Sequence, residues 1–363
     1  MPTTERTIAN LQSLVDALPE AKHERFRRIF HVTTDAAELV FPKAMLPFVQ
    51  AQFGSAEAVA RQTLVKVTNL ITMEGAIYNP LRASKPHDAI GGSQPAEIAA
   101  AGPDDPFCRP LEQTPENTFG RVRGTTCLTA ANLVPFDRFH SVVIFDHHHP
   151  LEFTEAMVSD AIDTALAWAR LAHSEDADAR YFFLFWNCLW RAGSSRVHGH
   201  MQATLGNGMH HAVVEALRRA ALLYRLGHGV NYFQDICAVH ESLGLAVGAG
   251  GVTAFASLTP RKEKEVWVVS EKLDEGFKRA AYQALHAYVH EMGVQSFNMA
   301  LLWKPIDSTS EDWSGFPAIV RMVDRGCLDS PLSDIGAMEF YGSSVVSSDP
   351  FQVADALRRS IQK

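Results

Sequence analysis

The sequence predicts an α+β fold: two tandem halves, each an antiparallel sheet flanked by helices, behind a helical N-terminal extension. Three observations predict it. Short runs rich in β-branched and aromatic residues alternate with segments whose apolar residues recur every three or four positions. The order strand, strand, helix, strand occurs twice, once from about residue 119 and again from 243. The strands are joined by short turns, which favours antiparallel pairing over a doubly wound parallel sheet. The expected divisions are a helical segment over 1–75, a first half over 76–228, and a second half with a C-terminal helix over 229–363.

Element by element, 7–74 reads as mostly helical, from "TIANLQSLVDAL" and "AEAVARQTLVKVTNLI". Residues 78–110 are rich in Pro, Gly, Ala and Asp and read as a long connection. Two β-rich runs follow in 119–145, broken at "NLVPFD". Residues 154–173 form an amphipathic helix with Thr154 as its N-cap. "RYFFLFWN" (180–187) is a buried strand, 198–205 a further strand, and 212–228 a helix with Gly227 near its end. In the second half, 243–260 and 264–271 are strands, 273–293 a helix, and 294–303 and 315–326 strands. "VGAGG" (247–251) opens no helix after a strand, so it reads as a turn and not as a dinucleotide loop. The tail at 348–363 is a capped helix packing on the body or on a partner chain.

The 363 residues are 47% apolar and 20% charged, enough to bury a sizeable core. The net charge of −8, with no long Lys/Arg block, excludes a broad phosphate-gripping surface for nucleic acid. No run approaches the roughly 18 apolar residues of a membrane helix. The five widely spaced cysteines lack a C-x-x-C, and the first twenty residues lack a signal-like apolar run. A reduced, cytoplasmic setting is therefore expected.

The chemistry concentrates in "SSRVHGHMQATL" (194–205). If this stretch is extended, His198, His200 and Gln202 share one face, and Val197, Met201 and Ala203 the other. Imidazole is a good nucleophile toward phosphorus near neutral pH, and a neutral amide such as Gln202 meets a phosphoryl oxygen without adding negative charge. The small residues "AGSS" before it offer backbone N–H groups and hydroxyls to phosphate, with Asn187 placed to brace the loop.

The pattern Asn187…Gly193-Ser194-Ser195…His198-x-His200-x-Gln202 resembles the active-site strand of the histidine triad superfamily. It is closest to the branch of galactose-1-phosphate uridylyltransferases and diadenosine tetraphosphate phosphorylases. In that branch transferases and phosphorylases carry glutamine at the third position, where hydrolases carry histidine. "FDRFHSVVIFDHHHPLEFTEAM" (136–157) resembles the preceding strand, loop and helix, whose loop histidine approaches the site; His148 and His149 both qualify. "YNPLRASKP" (78–86) resembles a nucleotide-contacting segment. The likeness is clear over 78–205, weaker over 206–326, and absent from the first 70 and last 35 residues.

The resemblance implies roles. His200 would be the nucleophile, and His198 a neighbour that orients the site or binds metal. Gln202 would stabilise the transferred phosphoryl group. Ser194, Ser195, Asn187 and Gly193 would form the phosphate loop, with Asn132, Arg82 and His148 or His149 as nucleotide contacts. Relatives that hold a structural zinc use an early C-x-x-C. This chain offers only Cys108, with His148 or His149 and His198, so a zinc site would need an oxygen or nitrogen ligand in place of the second thiol. The implied activity is transfer of a nucleotidyl group from a nucleotide, dinucleoside polyphosphate or nucleotide-sugar to phosphate or a sugar phosphate, through a nucleotidyl-histidine. The alternatives are a non-catalytic nucleotide-binding module and a metal-dependent phosphoester hydrolase. Neither nucleic acid nor membrane is an expected partner, and a homodimer stays open. Arg321 and Arg325 in "RMVDRG" are weighed as a second phosphate site against solvated strand ends.

Overall fold

Among the described residues two sheets, one of four strands and one of nine, organise the chain. The computed structural model describes residues 5–84, 98, 105–330 and 332–361. Most of the expected connection at 78–110 lies outside the described residues, at 85–97 and 99–104.

The helical expectation for 7–74 needs correction. Helices α1 (Leu11–Asp16), α2 (Glu20–Ile29), α3 (Leu46–Phe53) and α4 (Ala56–Ala60) are interrupted by two nine-residue strands, β1 (Phe30–Glu38) and β2 (Arg61–Asn69). In 56–71 the apolar residues fit both helical spacing and alternation. Val65, Val67 and Asn69 are buried in alternation, and pairing with β1 along the full length decides for strand. The β-branched Thr63, Val65, Val67 and Thr68 favour the same outcome. Strands β3 (Gly75–Tyr78) and β13 (Ser344–Val346) complete this sheet in the order β1-β2-β3-β13.

The larger sheet takes β4 (Cys127–Ala131), β5 (Phe139–Phe145), β6 (Ala179–Cys188) and β7 (His200–Asn207) from the first half. The second half supplies β8 (Ala246–Ala249), β9 (Val252–Ala256), β10 (Val266–Ser270), β11 (Phe297–Leu302) and β12 (Ala318–Asp324). Their order is β4-β5-β7-β6-β11-β12-β10-β9-β8. From edge to centre, β4-β5-β7-β6 matches β9-β10-β12-β11, and β6 pairs antiparallel with β11 at the seam. The repeat expected in element order is thus a pseudo-twofold repeat in space.

One face of this sheet is covered by α6 (Glu155–Glu175), α9 (Glu275–His286) and the tail helix α11 (Pro350–Ile361). Thr154 caps α6 as expected, accepting the Met157 N–H at 3.3 Å. Phe182, Leu184 and Trp186 of β6 and Met201, Ala203 and Leu205 of β7 join α6 residues such as Trp168 in the core. Full burial of each large side chain stabilises by roughly 1.5–3 kcal/mol. On the opposite face α8 (Tyr232–Leu243) covers β8 and β9, where His240 stacks on Phe255 at 4.1 Å, and Phe107 packs over Ala130, Val142 and Ile144 of β4 and β5. Helix α8 is unanticipated. Its signals are local: Asn231 accepts the Phe233 N–H at 2.7 Å, and left-handed Gly229, not Gly227, ends the preceding α7 (Ala212–His228). Two short helices, α5 (Pro110–Gln113) and α10 (Ala337–Tyr341), lie outside these layers. Among the described residues, no helix is long and apolar enough to cross a membrane.

Candidate active site

Cross-strand neighbours in a sheet share a face. A single row crosses all nine strands in register: Ala130, Val142, Gln202, Phe185, Ala300, Arg321, Trp267, Phe255 and Ala246. Gln202 therefore lies on the face away from α6, and His200, two residues before it, lies beside it opposite Ile144. Strand β7 begins at His200, so His198 stands in the turn just before the strand.

The backbone fixes the His200 ring. Its Nδ1–H donates to the carbonyl oxygen of His198 at 2.7 Å, which leaves Nε2 as the bare nitrogen. The ring is only 6% exposed, and Phe107 packs edge-on against it at 5.0 Å. Burial drives its pKa down to about 4, outweighing the hydrogen bond to His198. The nucleophilic form is thus the resting form. Gly199, between the two histidines, is dictated by packing. A side-chain Cβ there would approach Phe145 to 2.8 Å, while the Gly199 N–H donates to the His148 carbonyl and its own carbonyl accepts from Phe145 N–H.

His198 turns to a different cluster. Its Nε2–H donates to the Phe145 carbonyl at 2.7 Å, so Nδ1 carries the lone pair. That Nδ1 lies 3.2 Å from His148 Nδ1, 3.5 Å from Cys108 Sγ and 3.9 Å from an Asp105 carboxylate oxygen. Cys108 Sγ is 3.6 Å from His148 Nδ1, which is 3.8 Å from Asp105. Ligand bonds of about 2.0–2.3 Å in a tetrahedron give edges of about 3.3–3.8 Å, close to these separations. His148 Nε2 is buried with no partner among the described residues. Burial, with Asp105 beside it, raises the Cys108 thiol above its ordinary pKa, and burial lowers that of His198. A cation at the centre of these four donors would relieve the crowding of lone pairs.

The four donors correct the expected ligand set. His148 turns inward, whereas His149 accepts the Leu151 N–H at 3.3 Å and His147 pairs with Glu152 at 2.9 Å. The fourth donor, Asp105, was missed. Its signal was legible: Asp105-Pro-Phe-Cys108 keeps the spacing of a C-x-x-C with a carboxylate in the first place.

The loop between β6 and β7 is built by strain and by the second half. Leu189 adopts φ 68°, a conformation that costs a non-glycine residue of order 1–3 kcal/mol, and Gly193 follows at φ 88°. The Ser194 hydroxyl closes a turn onto Arg196, accepting its N–H and donating to its carbonyl. Ser195 and Arg196 are left exposed beside the histidines. Asn187 does not brace the loop alone. Asn298 of β11 donates to Asn187 Oδ1 and to the Ala192 carbonyl, both at 2.8 Å, and Arg325 holds Asn298 at 2.6 Å. On the other side of Gln202, Asn132 and the unanticipated His140 contact its side-chain oxygen at 3.4 and 3.0 Å. Arg82 stands apart, exposed on the turn after β3, in the four-stranded sheet.

Beside Gln202 an apolar cleft of about 560 Å³ runs along the seam. Phe183, Phe185, Ala300 and Leu302 form its floor, Phe136 and His211 one wall, and Arg261 and Arg321 the far end. That end is charge-balanced. Arg321 contacts Glu74 at 2.9 Å and Glu265 at 2.6 Å, and Arg261 contacts Glu74 at 2.6 Å. Arg325 is taken by Asp334 at 2.7 Å. The idea of a second phosphate site at 321–326 is not supported by these pairings.

No protein-family model and no curated protein sequence matches the chain. Solved structures do match, and the likeness is one of fold, to α+β proteins of the kind the sequence led us to expect. An ADP-glucose phosphorylase from Arabidopsis thaliana with bound ADP-glucose superposes with a TM-score of 0.59 at 16% identity, covering 79% of this chain and 96% of that one. A uridylyltransferase gives 0.56 at 18% identity, over 81% of this chain and 98% of that one. A GalT-like protein from Arabidopsis thaliana gives 0.54 at 17% identity, over 72% and 94%. The neighbours thus lie in the uridylyltransferase and nucleotide-phosphorylase branch to which the motif pointed, and the likeness establishes the fold.

Proposed function

We propose that the chain is a nucleotidyltransferase or phosphorylase that works through a nucleotidyl-histidine at His200. The observation that carries this reading is the held tautomer: Nδ1–H is fixed on the His198 carbonyl at 2.7 Å, and Nε2 is left unprotonated. In the first step the Nε2 lone pair forms a bond to the α-phosphorus of a nucleotide or nucleotide-sugar. The bond from that phosphorus to the leaving-group oxygen breaks, and the electron pair departs with the oxygen. The ring gains positive charge as the P–N bond forms, and the hydrogen bond from Nδ1–H to the His198 carbonyl strengthens with it. Gln202 donates to a phosphoryl oxygen, and Ser195 with the loop backbone meets the neighbouring phosphate. In the second step an oxygen of inorganic phosphate or a sugar phosphate attacks the same phosphorus, and Nε2 recovers its lone pair.

Asp105, Cys108, His148 and His198 would hold a metal, and the S, N and O donor set suits zinc. Such an ion supplies a structural pin, since four protein donors leave no open position for a substrate or water. This argues against metal-dependent hydrolysis. His198 then shapes the site indirectly: its ring anchors the turn while its carbonyl orients His200.

The test is trapping with α-labelled nucleoside diphosphate sugars and dinucleoside polyphosphates. An acid-labile, base-stable label on wild type that is absent from His200→Gly is expected. Turnover that survives His200→Gly, or binding without label or turnover with any acceptor, would overturn the proposal.

A further inference from the structure

His140 is 2% exposed on β5, diagonal to Gln202, with the Phe136 ring tilted against it at 4.1 Å between centroids. Its Nε2 lies 3.0 Å from Gln202 Oε1, while its Nδ1 is buried with no partner among the described residues. The two ring nitrogens decide the tautomer. A proton on Nδ1 would be an orphaned buried donor, which is rare and costs about 1–3 kcal/mol. It would also set a bare Nε2 against the carbonyl oxygen of Gln202, two acceptors in contact. A proton on Nε2 removes both problems. The neighbouring Asn132 places its Nδ2 3.3 Å from His140 Nε2, and both nitrogens also lie within reach of the one Gln202 oxygen. Its Oδ1 accepts the Val134 N–H at 2.9 Å, so its Nδ2 is the group facing Gln202 Oε1 at 3.4 Å. Two donors therefore converge on the Gln202 oxygen. An amide that accepts on one side must present its NH2 on the other.

We infer that His140, seconded by Asn132, is a positioning residue that locks the Gln202 carboxamide with its NH2 group facing the reacting phosphoryl oxygens. The inference rests on the proposed function and deepens it. Without the lock the amide is free to flip, and a carbonyl oxygen would then face the anionic phosphoryl group. Flipping would replace an attraction by a repulsion exactly where charge develops, without changing the shape of the site. Val142, directly opposite Gln202, offers no polar group, so the fixing falls to the diagonal neighbour.

Two measurements test it. The first is 15N–1H correlation of the histidine rings in the full-length protein at neutral pH, assigned with His140→Phe. A His140 ring with Nε2–H and bare Nδ1 is expected; an Nδ1–H ring or an imidazolium overturns the inference, whatever the enzyme's activity. The second is the rate of nucleotidyl transfer to His200 from an α-labelled dinucleoside polyphosphate or nucleoside diphosphate sugar. His140→Phe, which keeps the ring and loses the donor, should slow it about 10- to 100-fold with little change in KM. His140→Gln should restore most of the rate. In a Gln202→Ala background His140→Phe should have no further effect, which a merely structural role would not produce. Equal rates in His140→Phe and wild type, or full additivity with Gln202→Ala, overturn the inference. A wild type that takes no label and turns over no substrate defeats the proposed function instead, and the ring spectrum still decides on His140.

Discussion

The two halves of the sheet occupy equivalent places and do opposite things with them. Strands β7 and β12 each lie one strand out from the seam, and on the same row β7 presents Gln202 where β12 presents Arg321. Two residues before them stand His200 and Ile319. Around Gln202 the groups are neutral: His200, His140 and Asn132. Around Arg321 they are charged and mutually cancelled: Glu74, Glu265 and Arg261, with Trp267 beneath the guanidinium at 4.3 Å. A neutral, buried, donor-rich site suits a phosphoryl group that arrives with its own charge. A closed ion network suits nothing but packing. On the proposed function, one fold repeat is kept for chemistry and the other for support, with Asn298 and Arg325 reaching from the second to hold the first.

The comparison can be broken from either side. The largest effect should come from His200→Gly, which removes the proposed nucleophile. Turnover should fall about 10⁴-fold or more in steady-state assays, with no loss of melting temperature. Gln202→Ala should lower kcat by about 10²- to 10³-fold with the fold intact, as expected for loss of one donor at the transferred group. Arg321→Met on the other half should behave inversely. It leaves the buried Glu265 without its guanidinium partner, Glu74 keeping only Arg261, and should cost about 3–5 kcal/mol in denaturant titration, while protein that remains folded still labels at His200. Asn298→Ala tests the bridge between the halves. Releasing the Asn187–Ala192 loop should slow turnover about tenfold with a melting shift of only a few degrees.

A smaller effect concerns acid. Burial lowers His210 and His240 to about 4 from an ordinary value near 6.5. The unfolded chain takes up these protons first as the pH falls, so stability is lost between about 6.5 and 4 and regained as pH rises. The loss approaches about 3 kcal/mol per histidine at the bottom of the window. Denaturant titrations of wild type and His240→Phe at pH 7 and pH 4.5 should show the variant's stability to be the less pH-dependent.

The metal prediction is separate. Protein purified without chelator should carry about one bound divalent ion per chain by elemental analysis, and Cys108→Ala or Asp105→Ala should lose it. Strong chelators should then lower the melting temperature of wild type and leave Cys108→Ala unmoved.

Much of this was legible in the sequence because it is local. The two-residue period of a strand alone sets His200 and Gln202 on one face, although His198 precedes the strand and turns to the Asp105, Cys108 and His148 cluster instead of sharing that face, and Thr154 announces its helix. What was not legible is non-local or ambiguous. The stretch at 56–71 satisfies both helical and strand spacing, and only pairing with β1 decides. His140 lies 62 residues from Gln202 and 111 separate Asn187 from Asn298, so register alone brings them together. The choice of His148 over its neighbours depends on which way a loop turns. Asp105 was readable in principle, since D-P-F-C has the spacing of a thiol pair, but a carboxylate is a commoner surface residue than a ligand.

The central claim is double displacement at one phosphorus, with His200 as the intermediate station. Its most direct test is the stereochemical course of transfer from a donor made chiral at the α-phosphorus by sulfur substitution. Two in-line steps through His200 predict overall retention of configuration. Inversion would mean a single direct displacement, and would contradict the account.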